Sequence, residues 1–154
     1  MNKNKLKKNK VLIIAEAGVN HNGSEINAKK LILSAKNAGA DIIKFQLFSA
    51  KRLVLKNADK PEYIKKNFNL KKKTQYQILN KLELSYDIFK NINKFCKKNK
   101  IEFLLSPFDV ESVKIIKKLK LNRIKIPSGE ITNYPMLVEI AKLNLKVILS
   151  TGMA

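Results

Sequence analysis

Arg123-Ile-Lys-Ile-Pro-Ser-Gly-Glu130 is the stretch on which the fold turns. A short run rich in β-branched residues ends at once in a proline, a serine and a glycine, which marks a brief strand closed by a polar turn. The same design recurs along the chain. Residues 11–15 run into Glu16 and Asn20-His21-Asn22-Gly23, and residues 42–45 contain Lys44 and lead to Gln46. Residues 103–105 end in Ser106-Pro107-Phe108-Asp109, and residues 147–149 end in Ser150-Thr151-Gly152. Most of these runs are continuously apolar rather than alternating, as parallel strands covered on both faces should be.

Amphipathic segments fill the gaps. Ala28, Leu31, Ile32, Ala35 and Ala38 repeat at helical spacing between Ser24, a suitable N-cap, and the stop at Gly39. Ile88, Phe89, Ile92, Phe95 and Cys96 form a second stripe entered through Ser85. Val113, Ile116 and Leu119 form a third after Asp109, and Met136, Leu137 and Ile140 a fourth after Asn133 and Pro135. Strand and helix thus alternate through five strands. This order requires a parallel sheet with right-handed crossovers, either an open doubly wound sheet or a barrel. Neither GxGxxG nor GxxxxGK[ST] occurs, which weighs against the open nucleotide-binding sheet. The connection over residues 49–73 is longer and rich in Lys and Asn, with Pro61; Tyr76, Leu79 and Leu82 then predict a small helix.

Composition narrows the function. The 154 residues carry 32 basic and 12 acidic side chains, a net +20, but only Arg52 and Arg123 are arginines. Nucleic-acid readers use arginine's planar fork, whereas these lysines are spread over helix faces, so no specific nucleic acid is expected. No window reaches the ~18 apolar residues of a membrane span. The apolar run after the basic tail 1–10 ends at Glu16, too early for a signal peptide. Cys96, alone and on an apolar stripe, reads as a buried thiol of a reduced, cytoplasmic compartment.

In both candidate folds the carboxyl ends of the strands form the active site, so the polar residues that follow each run should converge. Ser24, Asp109 and Asn133 are better read as helix caps. Lys44 and Lys125 are not so easily dismissed, because each interrupts an apolar strand, where an ammonium is costly unless an anion meets it. With the hydroxyls of Ser106, Ser128 and Ser150 and the backbone near Gly129 and Gly152, they could receive a phosphate or carboxylate. Glu16 and Glu130 add two carboxylates that could bind hydroxyls, move protons or assist a metal. His21 is the single histidine, so no histidine metal cluster can form here. A hydrogen-bonded loop residue is at least as good a reading of it as a catalytic one.

Taken in order, Ala15-Glu-Ala-Gly-Val-Asn-His-Asn-Gly23, Lys44-Phe-Gln46, Ser106-Pro-Phe108, Lys125-Ile-Pro-Ser-Gly-Glu130 and Leu149-Ser-Thr-Gly-Met153 resemble the sialic acid synthase family, on its neuraminate and legionaminate side. The resemblance implies a (β/α)8 TIM barrel of which residues 11–154 supply strands 1–5 with four intervening helices. It implies condensation of phosphoenolpyruvate with an N-acetylated aminosugar aldehyde and release of phosphate. Carried over by position, Lys44, Ser106 (in place of a threonine), Lys125, Ser128 and Ser150 would bind phosphoenolpyruvate. Gln46, Phe108 and Glu130 would surround the sugar, and Glu16 is the catalytic candidate. An asparagine from the long loop, for which Asn69 is nearest, is left unassigned. The resemblance also implies a manganese or magnesium ion held by histidines of later strands, a homodimer, and a C-terminal antifreeze-like domain. None of these ligands or domains lies within 154 residues, so the chain is expected to be a fragment, a truncated product or half of a split enzyme, inactive alone and with two open strand edges. A Schiff-base aldolase using Lys44 or Lys125, and a nonenzymatic polyanion-binding module, are the competing readings.

Overall fold

The computed structural model describes residues 11–58 and 73–152; the basic tail and Asn69 lie outside them. The elements are β1 (Ile14–Gly18), α1 (Glu25–Asn37), β2 (Ile42–Leu47), α2 (Ala50–Leu53), α3 (Gln75–Leu82), α4 (Tyr86–Lys98), β3 (Glu102–Pro107), α5 (Val110–Leu119), β4 (Arg123–Ile126), a 3-10 turn (Ser128–Glu130), α6 (Tyr134–Ala141) and β5 (Lys146–Leu149). Every paired strand is parallel: β2 bonds to both β1 and β3, and β4 bonds to β5. β3 lies beside β4, so the strands follow chain order without reversal. A doubly wound sheet must reverse at its switch point. This one does not, and the alternation expected of a partial barrel is what forms.

The helices follow the same order. α1 packs beside α4, α4 beside α5, and α5 beside α6, forming one layer on one face of the strands. Ile43, Phe45 and Leu47 of β2, Phe103 and Leu105 of β3, and Ile124 and Ile126 of β4 are buried in the core with Ile32, Phe89, Ile92, Ile116 and Met136 from the helices. Each such side chain contributes roughly 1.5–3 kcal/mol relative to exposure. Because side chains alternate along a strand, the residues between them, Lys44 and Gln46 among them, face the other side. The caps are local: Ser24, Ser85, Asp109 and Asn133 each accept the backbone N–H three residues on, and Thr74 forms a capping box with Gln77.

Two elements differ from the sequence reading. β1 is Ile14–Gly18 rather than 11–15, because Ile13 is taken up before the ladder begins: its carbonyl accepts from Asp41 N and Ile42 N, and its N–H donates to Asp41 Oδ2 at 3.0 Å. Val11, Leu12 and Ile13 are exposed, while Glu16 lies inside the strand. In the connection from β2 to β3, α3 and α4 form as expected, but the described residues also include α2 directly after β2, where the sequence marks only a loop. Val147 and Leu149 pair with the buried Ile124 and Ile126, which puts them on the helix-facing side, yet they are 47% and 50% exposed. β1 and β5 each have a strand partner on one side only among the described residues.

Cys96 is buried in α4, and burial pushes its thiol up to about 12. The thiolate is the reactive form, so iodoacetamide at pH 8 should leave Cys96 unmodified until the protein is denatured. Mass spectrometry showing rapid labelling of the native protein would contradict this burial.

Candidate functional site

The β1–β2 ladder sets Glu16 opposite Lys44, and Lys44 Nζ forms an ion pair with Glu16 Oε2. The lysine side chain is 10% exposed and the glutamate 51%, so one partner is buried and the other reaches the open mouth. β4 brings Lys125 to the same group. Its pKa is lowered, first by burial and then by repulsion from Lys44, with Glu16 pulling the other way. Two cations and one carboxylate therefore share one local field, with an excess of positive charge.

Gly18 makes room for this arrangement. The ladder slips between Glu16 and Gly18, forming a bulge, and Gly18 has a φ of +52. A Cβ there would lie 3.2 Å from Glu16 Oε1 and 3.8 Å from Gln46 Nε2. The bulge thus seats the carboxylate beside the Gln46 amide. On the next strand Ser106 is in register with Gln46, and its Oγ is buried without a hydrogen-bond partner among the described residues. An unpartnered buried hydroxyl costs about 1–3 kcal/mol. It lies on the same face as Lys44 and Gln46, where its O–H is available as a donor.

The remaining residues occupy the same ends of neighbouring strands but make their own contacts. Phe108 follows β3; its N–H donates to Leu47 O at 3.2 Å and its ring meets Phe48 edge-on at 6.4 Å. Ser128 begins the 3-10 turn, where its Oγ lies 3.9 Å from the place a Cβ on Gly152 would take. Ser150 N donates to Ile126 O. The Glu130 carboxylate accepts from Asn133 Nδ2 at 2.7 Å, so Asn133 serves both as helix cap and as a partner for this carboxylate.

His21 resolves toward the loop reading. It is buried, its Nδ1 accepts from Gly23 N at 3.0 Å, and its carbonyl accepts from Ser24 N and Asn27 Nδ2. Burial lowers its pKa, which keeps the imidazole neutral as this acceptor role requires. Gly23 in turn touches α3 so closely that a Cβ would stand 2.2 Å from Lys81 O.

Three contacts escaped the sequence. Arg52 of α2 pairs with Asp109 at 3.0 Å, Glu83 accepts from Ala50 N at 2.8 Å, and Phe48 backs Phe108. All join residues far apart in the chain, and no local spacing signals them. Among the described residues no three His, Cys, Asp or Glu side chains gather, so these residues do not fit a divalent-metal centre by themselves.

The arrangement can be set against known proteins. The model of the NeuB family matches residues 31–154. The chain is 52% identical over 145 residues to the N,N'-diacetyllegionaminic acid synthase of Campylobacter jejuni, covering 94% of this chain and 43% of that protein. It is 47% identical over 141 residues to the enzyme of the same name from Legionella pneumophila, covering 92% and 39%. Among solved structures, the N-acetylneuraminic acid (sialic acid) synthetase of Leptospira borgpetersenii, crystallised with citrate, superposes with a TM-score of 0.77 at 32% identity, over 95% of this chain and 46% of that one. The chain spans less than half the length of these relatives. With the match running from α1 to the last residue, the chain belongs to the NeuB family.

Proposed function

We propose that this chain is the front part of a synthase that joins phosphoenolpyruvate to an N-acetylated aminosugar, giving a nonulosonic acid and phosphate. The observation that carries this reading is the electrostatically coupled pair of lysines, Lys44 and Lys125, with the unpartnered hydroxyl of Ser106 on the same face as Lys44. Two ammonium groups and a hydroxyl donor suit a small molecule that carries both a phosphate and a carboxylate. Both legionaminic acid synthases it resembles are named for a doubly N-acetylated product, which favours a sugar already carrying two N-acetyl groups.

In this reading Lys44, Lys125 and Ser106 hold phosphoenolpyruvate, with Ser128 and Ser150 completing the cradle on the neighbouring strands. Gln46, Phe108 and Glu130 orient the sugar. The enol carbon bonds to the aldehyde carbon, water adds to the resulting cation, and the C–O bond to phosphate then breaks. Glu16, half exposed at the mouth, takes the proton released by the adding water and passes it to the oxygen of the former aldehyde. A divalent metal would supply Lewis-acid chemistry at the aldehyde, but its ligands are not found among the described residues, and none of these roles depends on it.

The test joins this chain to the C-terminal remainder of the Campylobacter relative and supplies phosphoenolpyruvate, manganese and either N-acetylmannosamine or its diacetamido counterpart. Phosphate release that requires the sugar is expected. Borohydride trapping of pyruvate on Lys44 or Lys125 would instead establish the aldolase reading. The lowered pKa of Lys125 adds a pH signature. Only the protonated amine holds an anion, so affinity for phosphoenolpyruvate should fall as pH rises through a value below that of an ordinary lysine. Lys125→Arg, protonated throughout, should move that loss to higher pH. Equal profiles for the two proteins in calorimetric titration would remove Lys125 from the cradle.

A further inference from the structure

The cation best placed to take an anion is already engaged. Lys44 is the most buried charge of the cluster, and its ammonium is paired with Glu16 Oε2. The other oxygen of that carboxylate rests over Gly18, next to the Gln46 amide, in the space left by the missing side chain. The partners are unequally placed. Lys44 is fixed within the β2 ladder, whereas Glu16 has half its side chain open to solvent and can rotate into water once an anion has taken its place beside the buried ammonium. An arriving anion therefore competes with Glu16 for Lys44, and the glutamate is the one that can move.

We propose that Glu16 is the resident counter-ion of Lys44 until ligand arrives, and that the ligand's anionic group displaces it and so delivers its carboxylate, free, to the neighbouring subsite. The inference rests on the anion-binding reading above and deepens it. Before binding, Glu16 balances the charge of Lys44; after binding, the ligand takes over that balance. Binding of the anion and release of the carboxylate become a single exchange. The carboxylate is thereby withheld from a sugar that arrives first. Lys125 is not the amine that Glu16 pairs with; its repulsion from Lys44 is relieved when the anion satisfies both amines.

The exchange has a measurable cost, since part of the ligand's affinity is consumed in displacing Glu16. Glu16→Gln removes the competing charge while keeping the side chain's shape. Phosphoenolpyruvate, and inorganic phosphate as a second probe, should bind this variant about tenfold more tightly than the parent protein in calorimetric titration, an amount set by the ~1.4 kcal/mol that corresponds to each tenfold change. Glu16→Ala covers the case in which the Gln amide keeps a contact with Lys44. Removing a negative charge could also help any anion from a distance, and Lys44 separates the two explanations. In a Lys44→Met background the same Glu16→Gln change should give less than a twofold gain, because no ion pair remains to be displaced. A gain that persists there overturns the exchange in favour of a general field effect. So does a parent protein that binds phosphoenolpyruvate while neither Glu16 variant binds it more tightly. Failure of the parent and both Glu16 variants to bind either probe, with their thermal melts intact, overturns the anion-binding reading along with it.

Discussion

Phosphoenolpyruvate is expected to bind Lys44→Met about 10- to 100-fold more weakly than the parent chain. A hydrogen bond to a charged group contributes roughly 1.5–3 kcal/mol, and each 1.4 kcal/mol is a factor of ten in affinity. Methionine fills the space of the lysine stem in a strand position that is 8% exposed, so packing of β2 is kept. The partner left behind, Glu16, is half exposed and hydrates readily. The melting temperature should change little for this reason, which separates loss of a binding group from loss of the fold. Calorimetry and a thermal melt on the same sample decide it: unchanged affinity would remove Lys44 from the site, and a collapse of the melt would make it structural.

The largest effect on stability is expected at Gly23. An alanine there meets two penalties, a φ of +75 that L side chains rarely adopt and a Cβ 2.2 Å from the backbone oxygen of Lys81. The first costs about 1 kcal/mol. The second cannot be relieved by turning a side chain, because the obstacle is backbone, so either α3 or the loop that His21 secures must shift; overpacking of this kind costs ~1–3 kcal/mol. Together they remove about 2–4 kcal/mol from a total of roughly 5–15 for a domain. Gly39 provides the comparison, since it has a φ of +84 and a Cβ added there would meet nothing within 4 Å. Gly39→Ala should therefore show the conformational penalty alone. Equal losses for the two variants in denaturant titration would mean that α3 is not docked through this contact. Faster amide exchange in α3 than in α4 in the Gly23 variant would locate the release.

Much of this was readable from residue order because the signals were local. β4 is the strand the sequence marks, with the same ends, and β2, β3 and β5 grow by one to three residues beyond their apolar runs. The caps at Ser24, Ser85, Asp109 and Asn133 were legible because each needs only a polar side chain and an amide three residues on. β1 was displaced by three residues because hydrophobicity marks what is buried, whereas the register with β2 decides what is strand. Glu16 belongs to the ladder through Lys44, a partner 28 positions away. α2 went unseen for a related reason. Ser49 makes no side-chain cap bond, and the carboxylate that serves the helix start comes from Glu83. In the site, polar strand residues were enough to nominate Lys44, Lys125 and Ser106. Their convergence was legible only as a consequence of topology, and the engagement of Lys44 by Glu16 was not legible at all, since it depends on the β1–β2 register that sets the two opposite one another.

The strands are tied at both ends by different means. At their N-terminal ends Arg123 Nε reaches Glu102 Oε1 across β4 and β3, and Asp41 holds the Ile13 amide. At their C-terminal ends stand Glu16, Gln46, Ser106 and the loops that follow them. Substitutions that retune the ligand end leave the fastening of the other end untouched. The open end can therefore be altered residue by residue while the strand register, held from the other end, is kept.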